Sequence, residues 1–161
     1  MSSLLLRPVE PQDETFLFEL YMSVRQEEVK SWGWTSTQIE HFLHMQWMTQ
    51  QSSYKMQFPN AHRTVILYEN ESVGQCSVDC TSDRLHLIDI SILPSFRNRG
   101  IGASLLKRLQ LEATTLQVPI FLNVTLGNPA HRLYERLGFI MIGSTDMYVS
   151  MQWQPPNTTI Y

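Results

Sequence analysis

The chain has 161 residues, of which 43% are hydrophobic and 17% charged, with a net charge of −3. This length and apolar content suit one compact domain over 1–161, and the acidic balance excludes the strongly basic face of a nucleic-acid binder. No run of about eighteen apolar residues occurs, and Leu4-Leu5-Leu6 before Arg7-Pro8 is too short for a secretion signal, so a cytoplasmic protein with no membrane association is expected.

Leu4-Leu5-Leu6-Arg7 reads as a strand stopped by Pro8 and Pro11. Phe16, Leu17, Leu20, Tyr21 and Val24 recur at helical spacing, with Asp13 and Glu14 at the favourable end of the dipole, and Trp32-Gly33-Trp34 breaks the pattern after Lys30. Thr37 and Glu40 have capping-box spacing ahead of the stripe Ile39, Phe42, Leu43, Trp47, in a helix expected to end near Gln50-Gln51-Ser52-Ser53. Tyr54 to Ala61 reads as a connector, Arg63 to Tyr68 and Val73 to Cys80 as strands about a polar turn over Glu69 to Ser72, and Leu85 to Leu93 as a buried strand. Ile101, Leu105, Leu109, Ala113 and Leu116 mark a helix, Pro119 to Val124 a strand, Asn128 to Leu137 a short helix, and Phe139 to Ile142 and Met147 to Trp153 two closing strands. The tail from Pro155 is expected to be loosely held. Cys76 and Cys80, four apart in a strand, stand about 13 Å apart at roughly 3.3 Å per residue, outside disulfide reach. With no neighbouring histidine pair they offer no zinc site, and they read as ordinary strand residues.

Between the buried strand and the next helix lies Arg97-Asn98-Arg99-Gly100-Ile101-Gly102-Ala103. Backbone N–H groups at a helix N-terminus lack intrahelical partners and sit at the positive end of the dipole, so this turn suits an anion, with two arginines adding charge. The triphosphate loop needs four residues between its glycines and then Lys with Ser or Thr, whereas one residue separates Gly100 from Gly102 and Ala103-Ser104 follow. The dinucleotide loop needs a third glycine where Leu105 stands. What remains is Arg-x-x-Gly-x-Gly. Further on, Asn128-Pro129-Ala130-His131-Arg132-Leu133-Tyr134-Glu135-Arg136-Leu137-Gly138-Phe139 carries an N-cap, a proline at the first helical position and a terminating glycine.

The basic turn resembles the pyrophosphate loop of the GCN5-related N-acetyltransferase (GNAT) family, and the later segment is similar to that family's Asn-x-Ala-x-x-Leu-Tyr-x-x-Leu-Gly-Phe. The resemblance extends over about Leu4 to Trp153. It implies an α/β (α+β) fold with a mixed, mostly antiparallel sheet of about seven strands and helices on both faces, serving as a single N-acetyltransferase domain. The activity it implies is transfer of the acetyl group of acetyl-CoA to a primary amine of a small molecule or peptide, by direct attack in a ternary complex. By the same resemblance the turn from Arg97 through Asn98, Arg99, Gly100, Ile101 and Gly102 to Ala103 holds the diphosphate. The backbone of Ile90, Ser91, Ile92 and Leu93 pairs with the pantetheine arm and offers an N–H to the thioester oxygen, Asn128 lies near the pantetheine, and Tyr134 lies near the sulfur. Dimers are common in the family, and a homodimer stays open here.

A phenol with an ordinary pKa of about 10 can hand its proton to a thiolate whose parent thiol has one near 8.5, which makes Tyr134 a candidate general acid; the alternative is a core tyrosine. The attacking ammonium needs a base. Some family members carry a glutamate five residues before the motif asparagine, where this chain has Asn123. Asp89, flanked by Ile88 and Ile90, is costly to bury without a partner or a use, and is the first candidate, with His86 and water behind it. Arg25, Trp32 and Trp34 are candidates for the acceptor pocket, while Trp47, on its helix's apolar stripe, reads as core. A second class of function is a domain that keeps the cofactor grip without turnover, acting as an acyl-CoA sensor or interaction module.

Overall fold

The apolar run at the N-terminus becomes the edge strand β1 (Leu4–Pro8) of the computed structural model, which describes residues 4–156. Proline is tolerated there because an edge strand leaves N–H positions outside the ladder. Helix α1 (Glu14–Lys30) follows a short 3₁₀ turn, with Asp13 at its N-cap. The Arg7 guanidinium grips Asp13 in two parallel bonds of 2.8 and 2.7 Å, and the Glu10 N–H adds a third at 2.7 Å, so β1 fixes the start of α1.

Helix α2 (Ser36–Gln57) departs from the sequence expectation at both ends. Its capping box is Thr35 with Gln38, two residues earlier than Thr37 with Glu40: the Gln38 N–H donates to Thr35 Oγ1 at 3.2 Å and the Thr35 N–H to Gln38 Oε1 at 2.9 Å. It also continues four residues past Ser53, because Tyr54 extends the Trp47 stripe into a half-buried position and tertiary packing outweighs the weak propensity of the Gln-Ser run. Phe18 of α1 meets His44 and Trp47 of α2 at ring separations of 5.1 and 5.3 Å.

Strands β2 (His62–Tyr68) and β3 (Glu71–Cys80) are joined by a two-residue turn in which Glu69 and Asn70 take φ of 52° and 68°. Tight hairpins require this pair of positive φ values, so the turn is two residues shorter than its polar composition suggests. β4 (Leu85–Ile92) leads through a 3₁₀ turn to α3 (Ile101–Leu116), the crossover to β5 (Ile120–Thr125). β5 pairs in parallel with β4 through Leu85, His86 and Leu87. The short helix α4 (Ala130–Arg136) and strands β6 (Ile140–Ser144) and β7 (Tyr148–Trp153) complete the chain, with β7 antiparallel to both β5 and β6. The sheet has seven strands in the order β1-β2-β3-β4-β5-β7-β6 and is mostly antiparallel.

The described residues cluster into two compact units, one made of the chain up to 77 with 89–99, the other of 78–88 with 100 onward; β3 and β4 contribute to both. In the first, Leu20, Val29, Leu43, Val65, Ile66 and Val73 are fully buried. In the second, the α3 stripe Leu105, Leu106 and Ala113 is buried together with Ile120, Leu122 and Met151. Cys76 and Cys80 both lie on β3, the first buried and the second exposed. Among the described residues no helix is long and apolar enough to cross a membrane. The tail expected to be loose lies, from 157 on, outside the described residues.

Candidate active site

Alternation along the strands puts Arg63 of β2, Gln75 and Ser77 of β3, and Asp89 and Ser91 of β4 into one cavity. Helix spacing supplies the rest of its wall, with Leu17, Leu20 and Tyr21 from α1 and Trp47, Gln50, Gln51 and Tyr54 from α2. All of these belong to the first unit. The Gln75 amide donates to Asp89 Oδ2 at 2.6 Å. Removal from bulk water pushes the Asp89 carboxyl above its ordinary range, against the Gln75 bond, the Arg63 charge and the Ile90 N–H, which pull it down. Burial likewise lifts the Tyr54 phenol to about 12, with Asp89 and Tyr21 adding to the rise, and lifts the Tyr21 phenol. The same burial lowers Arg63, opposed by Asp89. The cavity thus holds a carboxyl made more basic by its surroundings.

The basic turn carries two residues in the left-handed region, Asn98 at φ 62° and Gly100 at φ 77°. Gly100 is the N-cap of α3 and offers no side chain to the helix's first N–H groups, so these are not closed by a side-chain cap. Arg97, Asn98, Arg99 and Gly100 line this turn, with the Arg99 guanidinium exposed and 4.9 Å from the Phe96 ring centre. The 3₁₀ turn before them is pinned by Phe96 N–H to Leu93 O at 2.9 Å, and Leu93 N–H donates to Val73 O at 2.8 Å.

In the second unit, Asn128 starts the α4 turn: its Oδ1 accepts the Ala130 N–H at 2.9 Å, and its carbonyl accepts from His131. Tyr134 is buried, its ring 5.6 Å from that of Phe139. Phe139 N–H donates to Tyr134 O and Gly138 N–H to Glu135 O, closing α4 at a glycine with φ 95°. Asn123 is exposed on β5 and accepts from Ser150 Oγ at 2.6 Å. His86 is buried with its ring 5.0 Å from Phe121, and burial, then the Arg84 charge, lowers it.

Of the residues singled out in the sequence, Asp89 and Ser91 share the cavity. Arg25, Trp32 and Trp34 are not among its lining residues. Arg25 reaches it indirectly, donating to the Tyr21 hydroxyl at 2.5 Å and pairing with Glu28 at 2.9 Å. Trp32 and Trp34 form an edge-on cluster with Phe42, and both are largely exposed. Trp47, read as core, is buried and lines the cavity as well. Sequence reasoning missed Arg63, Gln75, Tyr21 and Tyr54 as cavity residues. The signal lay in Trp47, Gln50, Gln51 and Tyr54, which continue one helix face, and in the every-second-residue polar pairs Gln75 and Ser77 of β3 and Asp89 and Ser91 of β4.

A family model described as "Acetyltransferase (GNAT) domain" matches residues 59–141, more than half of the chain. The chain belongs to the GNAT acetyltransferase family. The matched span includes the basic turn and the whole Asn128-to-Phe139 segment. Among solved structures, this GNAT domain is similar to a PaiA N-acetyltransferase from Thermoplasma acidophilum in complex with coenzyme A, with a TM-score of 0.69 and 13% identity over 94% of this chain and 99% of that one. It is also similar to an acetyltransferase from Thermus thermophilus (TM-score 0.67, 18% identity, 94% and 97% covered). A spermidine N-acetyltransferase chimera of SpeG from Vibrio cholerae and hSSAT matches with a TM-score of 0.64 and 19% identity, over 94% and 95% of the two chains. At these identities the likeness establishes the fold. No curated protein matches the chain.

Proposed function

We propose that this GNAT domain transfers an acetyl group from acetyl-CoA to a primary amine of a small molecule or peptide, by direct attack in a ternary complex. Family membership supports the reaction class. The observation that carries the reading further is Asp89, a carboxyl of raised basicity lining a cavity. An ammonium with an ordinary pKa near 10.4 must lose a proton before it can attack, and a carboxyl raised above its ordinary range is a better acceptor for that proton, directly or through water.

The residues of the basic turn fit the donor: α3 opens without a side-chain cap, at a left-handed glycine preceded by two arginines. Acetyl-CoA supplies a thioester-activated acetyl group when bound. In this reading the turn from Arg97 to Ala103 holds the diphosphate, and Ile90 to Leu93 present backbone groups to the pantetheine arm. An N–H of that segment donates to the oxygen on which charge develops, and a donor fixed in place beforehand gains most from that charge. Asn128 borders the arm, and Tyr134 donates its phenolic proton to the departing sulfur.

Asn123, held by Ser150 where some relatives carry an acid, favours one competing reading, a module that binds acyl-CoA without turnover. Thiol release from acetyl-CoA with a panel of primary amines separates the two. Amine-dependent release is expected; saturable coenzyme binding without release by any amine overturns the enzyme.

A further inference from the structure

The Asp89 cavity holds a second charge that catalysis on a simple amine does not require. Arg63 projects into it from β2, half-buried, and its guanidinium makes no hydrogen bond and no ion pair among the described residues. A guanidinium carries five donors in a planar fork, and here they face the cavity and its solvent with no protein acceptor among the described residues. The group that best satisfies such a fork is a carboxylate. Asp89 feels the Arg63 charge, but its carboxyl accepts from Gln75 and from the Ile90 N–H and makes no direct ion pair that would occupy the fork. β2 and β4 flank β3 in the sheet, so the two backbones stand two strand spacings apart, on the order of 10 Å, with both side chains reaching into the space between. The cavity opens to solvent, and Leu17, Leu20 and Trp47 give it an apolar wall.

Resting on the reading of this cavity as the acceptor site, we propose that the acceptor is a small zwitterion, a free amino acid or close analogue, whose ammonium sits at Asp89 and whose carboxylate sits at Arg63. The apolar wall takes its side chain, and Gln50, Gln51 and the Tyr54 hydroxyl supply neutral hydrogen-bonding groups around it. The same arrangement disfavours a polyamine, because Arg63 would face a like charge where an amino acid places its carboxylate.

The test uses the full chain and matched trios: leucine, isoamylamine and isocaproate, then phenylalanine, phenethylamine and hydrocinnamate. Binding is measured by calorimetry on the wild type, Arg63→Met and Arg63→Lys. The amino acid is expected to bind about tenfold or more tightly than either singly charged analogue, as a charge-assisted hydrogen bond to each end warrants. Arg63→Met should bring amino acid and amine to near equality, and Arg63→Lys should retain part of the preference. Because the ratio is read within each variant, general damage to the fold cancels. Equal or tighter binding of the amine, a ratio unmoved by Arg63→Met, or no binding by any member of the trios overturns the proposal. Thiol release from acetyl-CoA is followed in the same preparations. Transfer to amines as efficient as to amino acids overturns the zwitterion assignment and leaves the acetyltransferase standing. Arg63-dependent amino-acid binding with no transfer supports the ligand class and overturns the enzyme.

Discussion

Replacing Gly74 with alanine tests how tightly β4 is held against β3. Gly74 is buried in β3, and a Cβ there would lie 2.2 Å from the Ser91 carbonyl oxygen, 3.1 Å from the Ile66 Cδ1 and 3.2 Å from the Ile92 Cα. The Ile66 methyl can rotate away, but the Ser91 carbonyl is backbone. The strands must therefore part locally until the 2.2 Å approach opens to at least 3.4 Å. Overpacking of this kind costs about 1–3 kcal/mol, and with main chain on both sides of the clash we take the upper end. Alanine also restricts the unfolded chain, which returns about 0.4–1 kcal/mol and leaves a net loss of about 2 kcal/mol. For a chain of this size that is a fall in Tm of about 4–8 °C. Thermal unfolding followed by circular dichroism reads it directly. Ser91 and Ile92 belong to the segment proposed to receive the pantetheine arm, so the KM for acetyl-CoA should rise in the same variant. A Tm within about 2 °C of wild type, with KM unchanged, would refute the close spacing of β3 and β4 on which that segment's position depends.

Asp89→Asn should lower kcat/KM by about 10²–10⁴-fold, the usual contribution of a positioned base, without lowering Tm at neutral pH. Because the folded carboxyl titrates above its ordinary 3.8, the folded state retains a proton that the unfolded chain releases, so stability falls as pH rises through that window. Asp89→Asn should flatten this part of the stability–pH curve, and a Tm profile across pH checks it. Asp13 behaves oppositely: Arg7, and then the Glu10 N–H, hold its carboxyl at about 2, so its contribution is present above the ordinary range and is lost as pH falls from about 4 toward 2. Asp13→Asn should destabilise at neutral pH and abolish that acid limb in denaturant titrations. Tyr134→Phe keeps the ring beside Phe139 and should cut kcat by about 10²-fold while leaving the KM for acetyl-CoA nearly unchanged, as steady-state kinetics will show. Full activity in that variant would remove the phenol from the reaction.

Much of this fold is legible in the residues because local and global preferences agree. Leu105, Leu109 and Ala113 announce α3, and Gly138 announces the end of α4. The family signature is legible for a related reason, since both of its segments are short, contiguous and built on turns with specific backbone demands. The α2 termini differ from expectation where a nearer capping residue and a tertiary contact decide the outcome. Thr35 takes the cap in place of Thr37, and Tyr54 carries the helix past Ser53 because the cavity buries its ring. The cavity itself is only partly visible in the residues. Asp89 stands out between two isoleucines, but Arg63, Gln75 and Tyr21 become neighbours only once three strands and two helices converge. The aromatic composition of Trp32-Gly33-Trp34 points toward a pocket, yet those rings pack on one another and on Phe42.

The measurement that bears most directly on the central claim follows the acetyl group itself. Acetyl-CoA labelled in its acetyl carbon is mixed with the protein and a mixture of primary amines, including free amino acids, and the label is traced by mass spectrometry. The account predicts that label appears on an amine, in step with thiol release, with none held covalently by the protein at any time. Label trapped on a protein side chain, or coenzyme bound with no label reaching any amine, would contradict it.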